Sequence, residues 1–372
     1  MSGIYIHIPF CRKACHYCNF HFSTSLQSLD RMTDAICREA RLQSGYLTGE
    51  VETVYFGGGT PSLLEASQIQ KILTALASVF ALSPQAEITL EANPDDISAE
   101  RLEEWKRAGI NRLSIGVQSF FEEHLQWMNR AHNALQAQRS IALAQEHGFS
   151  NITIDLIYGS PGLTDAQWQQ NVMLALQSGV PHISCYALTV EPRTALAKMI
   201  QAHQSADTDP DRQADQFRML MWWLAEAGFE HYEISNFAKP GFRSRHNSSY
   251  WKGKPYVGLG PSAHSFNGAE RQWNVANNAL YMQGIEKNEI PFEKEILTPA
   301  QQFNEYVMTA LRTSEGISFE KISSGWAENL PALMNAAQKH IEAGHLTANS
   351  QRLLLTEKGK FLADGIAADL FC

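Results

Sequence analysis

Residues 4–18 read IYIHIPFCRKACHYC, an apolar run followed by three cysteines within eight residues. The run is rich in β-branched and aromatic residues and suits a buried strand. Cys11, Cys15 and Cys18 then follow at C-x3-C-x2-C spacing, and the chain uses only three more cysteines, Cys37, Cys185 and Cys372. A strand that delivers a cysteine triplet into a loop opens a pattern that recurs along the first half of the chain.

The further runs are VETVYF (51–56), EITLE (87–91), RLSIGV (112–117), ITIDLI (152–157) and HISCYAL (182–188). Between them lie segments of helical periodicity, such as LDRMTDAICREARLQ and EASQIQKILTALASVF. Strand and helix alternate about six times, as repeated βα units around a parallel sheet do. The loops after the second, third and fifth runs contain GGGTP, NPD and GSPG, and the cysteines follow the first. In a parallel barrel such loops gather at one rim and carry the chemistry. The expectation is therefore an α/β fold, a partial (β/α)6 TIM-like barrel over residues 1–230. Residues 231–297 read as an irregular, glycine- and aromatic-rich connecting region. Residues 298–372 read as a small, mainly helical, winged-helix-like domain with a hairpin-like insert at HLTANSQRLLLTEKG.

Composition narrows the function classes. The 372 residues are 44% hydrophobic and 19% charged, with a formal net charge of −9 and no basic block, which argues against a dedicated nucleic-acid binder. The N-terminal MSGIYIHIPF lacks the features of a signal peptide, and no apolar stretch is long enough to span a bilayer. A cytoplasmic, thiol-reducing compartment is expected, where a tight cysteine triplet reads as metal ligation rather than disulfides. Cys37 and Cys185 read as small core residues.

Three thiolates from one loop can hold three corners of a cubane iron–sulfur cluster, which ordinarily takes four cysteines. The remaining iron is then open to a small molecule. Two other readings stand beside this one: a Cys3His zinc site using His7, His16 or His21, and three buried thiols with no ligand. GGGTP (57–61) brings backbone N–H and C=O groups close to a ligand, or is simply a tight turn.

The triplet, with Tyr17 just before its last cysteine, resembles the radical S-adenosylmethionine (SAM) superfamily. YIHIPFC, GGGTPS, EANPD, RLSIGVQSF and DLIYGSPG resemble, more narrowly, the branch that holds oxygen-independent coproporphyrinogen III oxidase and the HemW heme chaperones. The resemblance implies a [4Fe–4S] cluster on Cys11, Cys15 and Cys18, with the amino and carboxylate groups of SAM chelating the open iron. It implies SAM contacts from Tyr5, Tyr17, Gly58, Gly59, Thr60, Glu91, Gln118, Arg130 and Asp155. Of these, Arg130 suits a carboxylate, since a guanidinium forks onto one.

Within the branch, the oxidase resembles C-x3-C-x2-C-x-C, whereas Phe20 stands at the further cysteine position here. The oxidase also has a long leader, and only ten residues precede Cys11 in this sequence. HNSSYW (246–251) fits the H-N-x-x-Y-W pattern associated with the chaperones. The resemblance thus implies heme as a ligand, contacted by His246, Tyr250 and Trp251, and a recipient hemoprotein, in some cases at the membrane. Arg243, Arg245, Lys252 and Lys254 would meet the propionates, and His264 in GLGPSAHS is a weaker second histidine. A surface loop anchored by its aromatics is the plain alternative. The competing function is radical decarboxylation of coproporphyrinogen III to protoporphyrinogen IX.

Overall fold

The computed structural model describes residues 2–372. The six apolar runs form β1 (Ser2–Ile8), β2 (Val51–Gly58), β3 (Leu82–Ala92), β4 (Arg112–Gln118), β5 (Ile152–Tyr158) and β6 (His182–Ala187). They pair in parallel and in chain order, with helices such as Leu29–Leu42, Ala66–Ala77 and Ala134–Glu146 between them. All of β1 except Tyr5 is buried, as expected when helices cover the outer face and the interior is filled. Several covering helices begin with reciprocal capping boxes, Asn133 with Gln136 and Thr164 with Gln167 among them, which fix where each loop ends. Trp105 and Trp168 are fully buried between helices and sheet. Burying such side chains contributes roughly 1.5–3 kcal/mol each.

The sheet does not stop at six strands. At one edge β6 is joined by β8 (Asn236–Ala238) and then β7 (Glu230–Glu233), both antiparallel. At the other, β9 (Tyr256–Leu259) pairs in parallel with β1 and leads into antiparallel β10 (His264–Phe266), β11 (Glu270–Asn274) and β12 (Phe292–Ile296). The result is one twelve-stranded sheet. Residues 231–297 are therefore not irregular, which corrects the sequence expectation. Strands β7–β11 are only three to five residues long, too short to display a period of two.

Past residue 298 the chain builds its own core from Phe303, Val307, Leu311, Ile322, Leu333 and Leu353, among others. Helices Pro299–Leu311, Phe319–Gly325, Leu330–Glu342 and Ala363–Asp369 pack beside a small antiparallel sheet. In it β15 (Arg352–Leu355) lies between β13 (Ile317–Ser318) and β14 (Leu346–Ala348), and β14 with β15 forms the hairpin read from the sequence. This unit leans on the barrel through Ile234 N–H to Arg312 O and Ser314 N–H to Tyr232 O.

One buried acid ties the added edge to the barrel. Glu39, on the helix Leu29–Leu42, accepts from Tyr281 Oη (2.5 Å), Asn274 Nδ2 (2.6 Å) and the Gly260 N–H (2.8 Å). Burial pushes its carboxyl up to about 7, against the pull of those three donors. Glu39→Ala would strand three buried donors and is expected to lower stability by about 3 kcal/mol, measured by urea unfolding.

Candidate functional site

The rim of the barrel starts from one close backbone contact. The Gly59 N–H donates to Ile8 O (2.9 Å), and the Thr60 N–H donates to Phe10 O (2.7 Å), so the end of β2 lies against the entry to the cysteine loop. A side chain at Gly59 would place Cβ 2.6 Å from Phe10 O, and one at Gly58 would meet the His7 ring at 2.6 Å in a left-handed backbone (φ +106°). Only glycine fits either position. Cys11 N–H to Ser23 O and Cys18 N–H to Cys15 O then close the loop.

A cavity of about 460 Å³ opens at this end. Cys11, Cys15 and Cys18 line it, together with Tyr17, Gly58, Gly59, Thr60, Glu91, Gln118, Arg130 and Asp155. Eight of the nine residues expected around SAM thus meet the three cysteines, although they come from six different strands and loops. Tyr5 does not join them. Its hydroxyl reaches His7 Nδ1 (3.3 Å), its ring stacks on Tyr55, and it lines a second cavity.

Charge in the first cavity is held out of water. Arg130 is already employed: Nη1 donates to Cys15 Sγ (3.3 Å), and Nη2 donates to Asn93 Oδ1 (2.6 Å) and Gly116 O (2.8 Å). Its Nε is buried with no partner among the described residues. Burial opposes its charge, but Tyr17 and Cys15 beside it hold its pKa above the usual value. Glu91 accepts from Tyr55 Oη (2.8 Å), and burial lifts its carboxyl to about 8, with the Asp155 charge adding to the rise. Asp155 is likewise lifted by burial to about 6. Gln118 is a non-glycine residue at φ +66°, a strained backbone aimed at the same space. Asn93, Tyr55 and Ser114 are the members that sequence reading did not single out, although EANPD contains the first.

The donor set fits an iron–sulfur cluster. Burial pushes the Cys11 thiol up to about 11, and Cys18 is raised for the same reason. Thiols raised in this way become thiolates beside a strongly cationic centre. Among the described residues, no three His, Cys, Asp or Glu groups converge tightly enough to hold a single ion. His7, His16 and His21 each have one ring nitrogen bonded within the protein, to His21 O, Trp127 O and Asn278 Oδ1. Separated thiols suit the corners of a larger cubane.

The second cavity, about 780 Å³, lies between the added strands and the C-terminal unit and shares Asn19 and Phe20 with the first. Phe20 is 65% exposed. Tyr250 and Trp251 line this space, but His246 does not. His246 sits on the short helix Arg245–Trp251 and is 1% exposed. One ring nitrogen meets Thr53 Oγ1 (2.8 Å), the other meets Tyr250 Oη (2.8 Å), and its ring stacks on Tyr55 at 4.9 Å. Burial, with Arg112 adding to it, lowers its pKa to about 3, so the ring is neutral. His246, expected from the sequence to contact heme, is buried in this conformation with both ring nitrogens engaged within the protein, one of them positioning Tyr250. The flanking cations differ from expectation too. Arg243 pairs with Glu230 and Glu315, and Arg245 pairs with Glu52, leaving Lys252 and Lys254 on a neighbouring cavity of about 570 Å³.

Comparison with known proteins agrees with this geometry. Residues 5–175 match the Radical SAM superfamily model, and residues 297–362 match the HemN C-terminal domain. A heme chaperone HemW from Bacillus subtilis is 34% identical over 98% of both chains. One from Mycobacterium tuberculosis is 35% identical over 99% of this chain and 94% of its own. The chain belongs to the HemW family of radical SAM proteins. Its fold is also that of the Escherichia coli coproporphyrinogen III oxidase HemN, with a TM-score of 0.87 at 23% identity over 100% of this chain and 90% of that one. Membership of the HemW family thus accounts for both the cysteine-lined cavity and the C-terminal unit.

The raised Glu91 carboxyl gives a pH test. Its folded value lies above the ordinary 4.5, so its contribution to stability is fully present below about pH 4.5 and is lost as pH rises through about 8. Glu91→Gln should match the wild-type chain in stability at pH 5 and exceed it by about 1–3 kcal/mol at pH 8.5, read from denaturant curves of the cluster-free protein.

Proposed function

We propose that this chain carries heme and delivers it to a recipient hemoprotein, in the cytoplasm or at the membrane face. In this reading one [4Fe–4S] cluster is held by Cys11, Cys15 and Cys18, with SAM on the open iron. The observation that carries it is similarity over almost the whole chain to relatives named heme chaperone HemW. Phe20, standing where the decarboxylase pattern has a further cysteine, supports carriage over that chemistry. The aromatic cavity beside the cysteine loop gives the cargo a place. Residues 1–230 serve as the SAM barrel, 231–297 as the heme-contacting segment and 298–372 as a cover over it.

When bound, the cluster and SAM supply one-electron chemistry. The chain's own residues bind and orient: Gly58, Gly59 and Thr60 present backbone groups, Glu91, Gln118 and Asp155 offer acceptors for amino and hydroxyl groups, and Arg130 balances charge beside Cys15. Tyr17 closes the wall, and Tyr5 acts at one remove through Tyr55, the partner of Glu91. Tyr250 and Trp251 present aromatic faces to the porphyrin, and His246 holds Tyr250 in place.

The test is an anaerobic comparison on reconstituted protein. Hemin should bind saturably and pass to an apo-hemoprotein, while coproporphyrinogen III with SAM and reductant should remain unconsumed. Consumption of coproporphyrinogen without heme transfer would identify the decarboxylase instead. Cys18→Ala should remove the cluster's visible absorbance and lower SAM affinity by about tenfold or more, measured by equilibrium dialysis.

A further inference from the structure

The heme reading leaves the iron without an obvious ligand, because both nitrogens of His246 are engaged. The second cavity has three histidines of its own: His7, His21 and His264. His7 is 4% exposed, with one nitrogen on His21 O (2.8 Å) and the other near Tyr5 Oη (3.3 Å). His21 gives Nε2 to Asn278 Oδ1 (2.7 Å). His264, the first residue of β10, is exposed to the cavity and makes no side-chain hydrogen bond among the described residues. Among the described residues its only aromatic ring neighbour is Trp273, stacked with centroids 6.2 Å apart, which leaves both nitrogens without a hydrogen-bond partner.

We propose that His264 is the axial ligand of heme in this cavity, its imidazole nitrogen giving a lone pair to the iron. The proposal rests on the heme reading above and names its site. Three further features fit a flat dianionic macrocycle. Tyr250 and Trp251 from one helix, Phe266 from β10 and Trp326 from the C-terminal unit supply aromatic walls. A volume of about 780 Å³ falls within the range of roughly 300–1,000 Å³ usual for cofactor sites. The cations are unequal: Arg271 is paired with Glu295 and Glu305, whereas Lys321 has no carboxylate partner among the described residues, its Nζ resting 4.3 Å from the Tyr306 ring centroid. Lys321 lines both this cavity and the neighbouring one that holds Lys252 and Lys254, so a propionate at that boundary meets Lys321 on the side of a cavity that carries two further lysines. His264 is also preset by the fold. Gly258 on β9 packs so closely that a Cβ there would lie 2.1 Å from His264 O, and Gly258 N–H is fixed by Ser265 Oγ (2.9 Å).

The experiment is a hemin titration of the full, cluster-reconstituted chain under anaerobic conditions, followed by the Soret band and by ferric electron paramagnetic resonance. Wild type, His264→Gly, His246→Ala and Lys321→Ala would be compared. The proposal expects His264→Gly to lose the imidazole-ligated spectrum and weaken binding by about tenfold or more. Added free imidazole should restore the spectrum, which a folding defect would not allow. Lys321→Ala should weaken binding without changing the ligand spectrum. His246→Ala should keep the histidine-ligated spectrum. An unchanged spectrum in His264→Gly overturns the proposal while leaving heme carriage intact, and its loss in His246→Ala alone would move the ligand to that residue. Absent or unsaturable binding in wild type would overturn the carrier reading itself, and the proposal with it.

Discussion

Two backbone hydrogen bonds, Gly59 N–H to Ile8 O and Thr60 N–H to Phe10 O, set the distance between the end of β2 and the start of the cysteine loop. They exist because β1 and β2 pair in parallel with Ile8 opposite Gly58, so both strands end at the same level. The absence of side chains at residues 58 and 59 lets the two segments touch. From that contact the loop is launched over the barrel mouth, where the ends of β3 and β4 and the middle of β5 bring Glu91, Gln118 and Asp155 to the same cavity. A wider gap would separate the thiols from the acceptors. The whole first cavity thus follows from parallel pairing plus two glycines.

The same rim shows charge kept where water is scarce. Glu91 and Asp155 are pushed toward their neutral forms, while Arg130 stays cationic through Cys15 and Tyr17. Holding groups in that condition costs stability in the protein alone. A ligand with a positive sulfonium and hydrogen-bonding hydroxyls would offset the cost, since it gives the carboxylates a partner. The strained backbone at Gln118 belongs with these features, stored where binding recovers it.

The six barrel strands were legible in the sequence because each is largely buried and reads as a short run rich in β-branched and aromatic residues. The cysteine triplet and GGGTP were legible because each is a local pattern with a local reason. The edges were not. Strands β7–β11 are too short to show alternation, and β9 borrows its place from pairing with β1 far upstream. The candidate heme region divides in the same way. HNSSYW named Tyr250 and Trp251 as cavity residues, but nothing near His246 tells that Thr53, almost two hundred residues earlier, takes its Nδ1. His264 was read only as a weaker second histidine, and Lys321 and Trp326 join it only through the tertiary fold, so no spacing announces the three together.

Asn19 and Phe20 are walls of both chambers at once. An aromatic ring left largely in water, as Phe20 is, gains by contact with any flat or apolar ligand that settles on either side of it. Two ligands that share one wall are thermodynamically linked, and linkage runs equally in both directions: whatever factor one occupant contributes to the other's affinity is returned unchanged. Coupling of this kind between the two chambers would need no moving domain. One side chain common to two binding polynomials is sufficient.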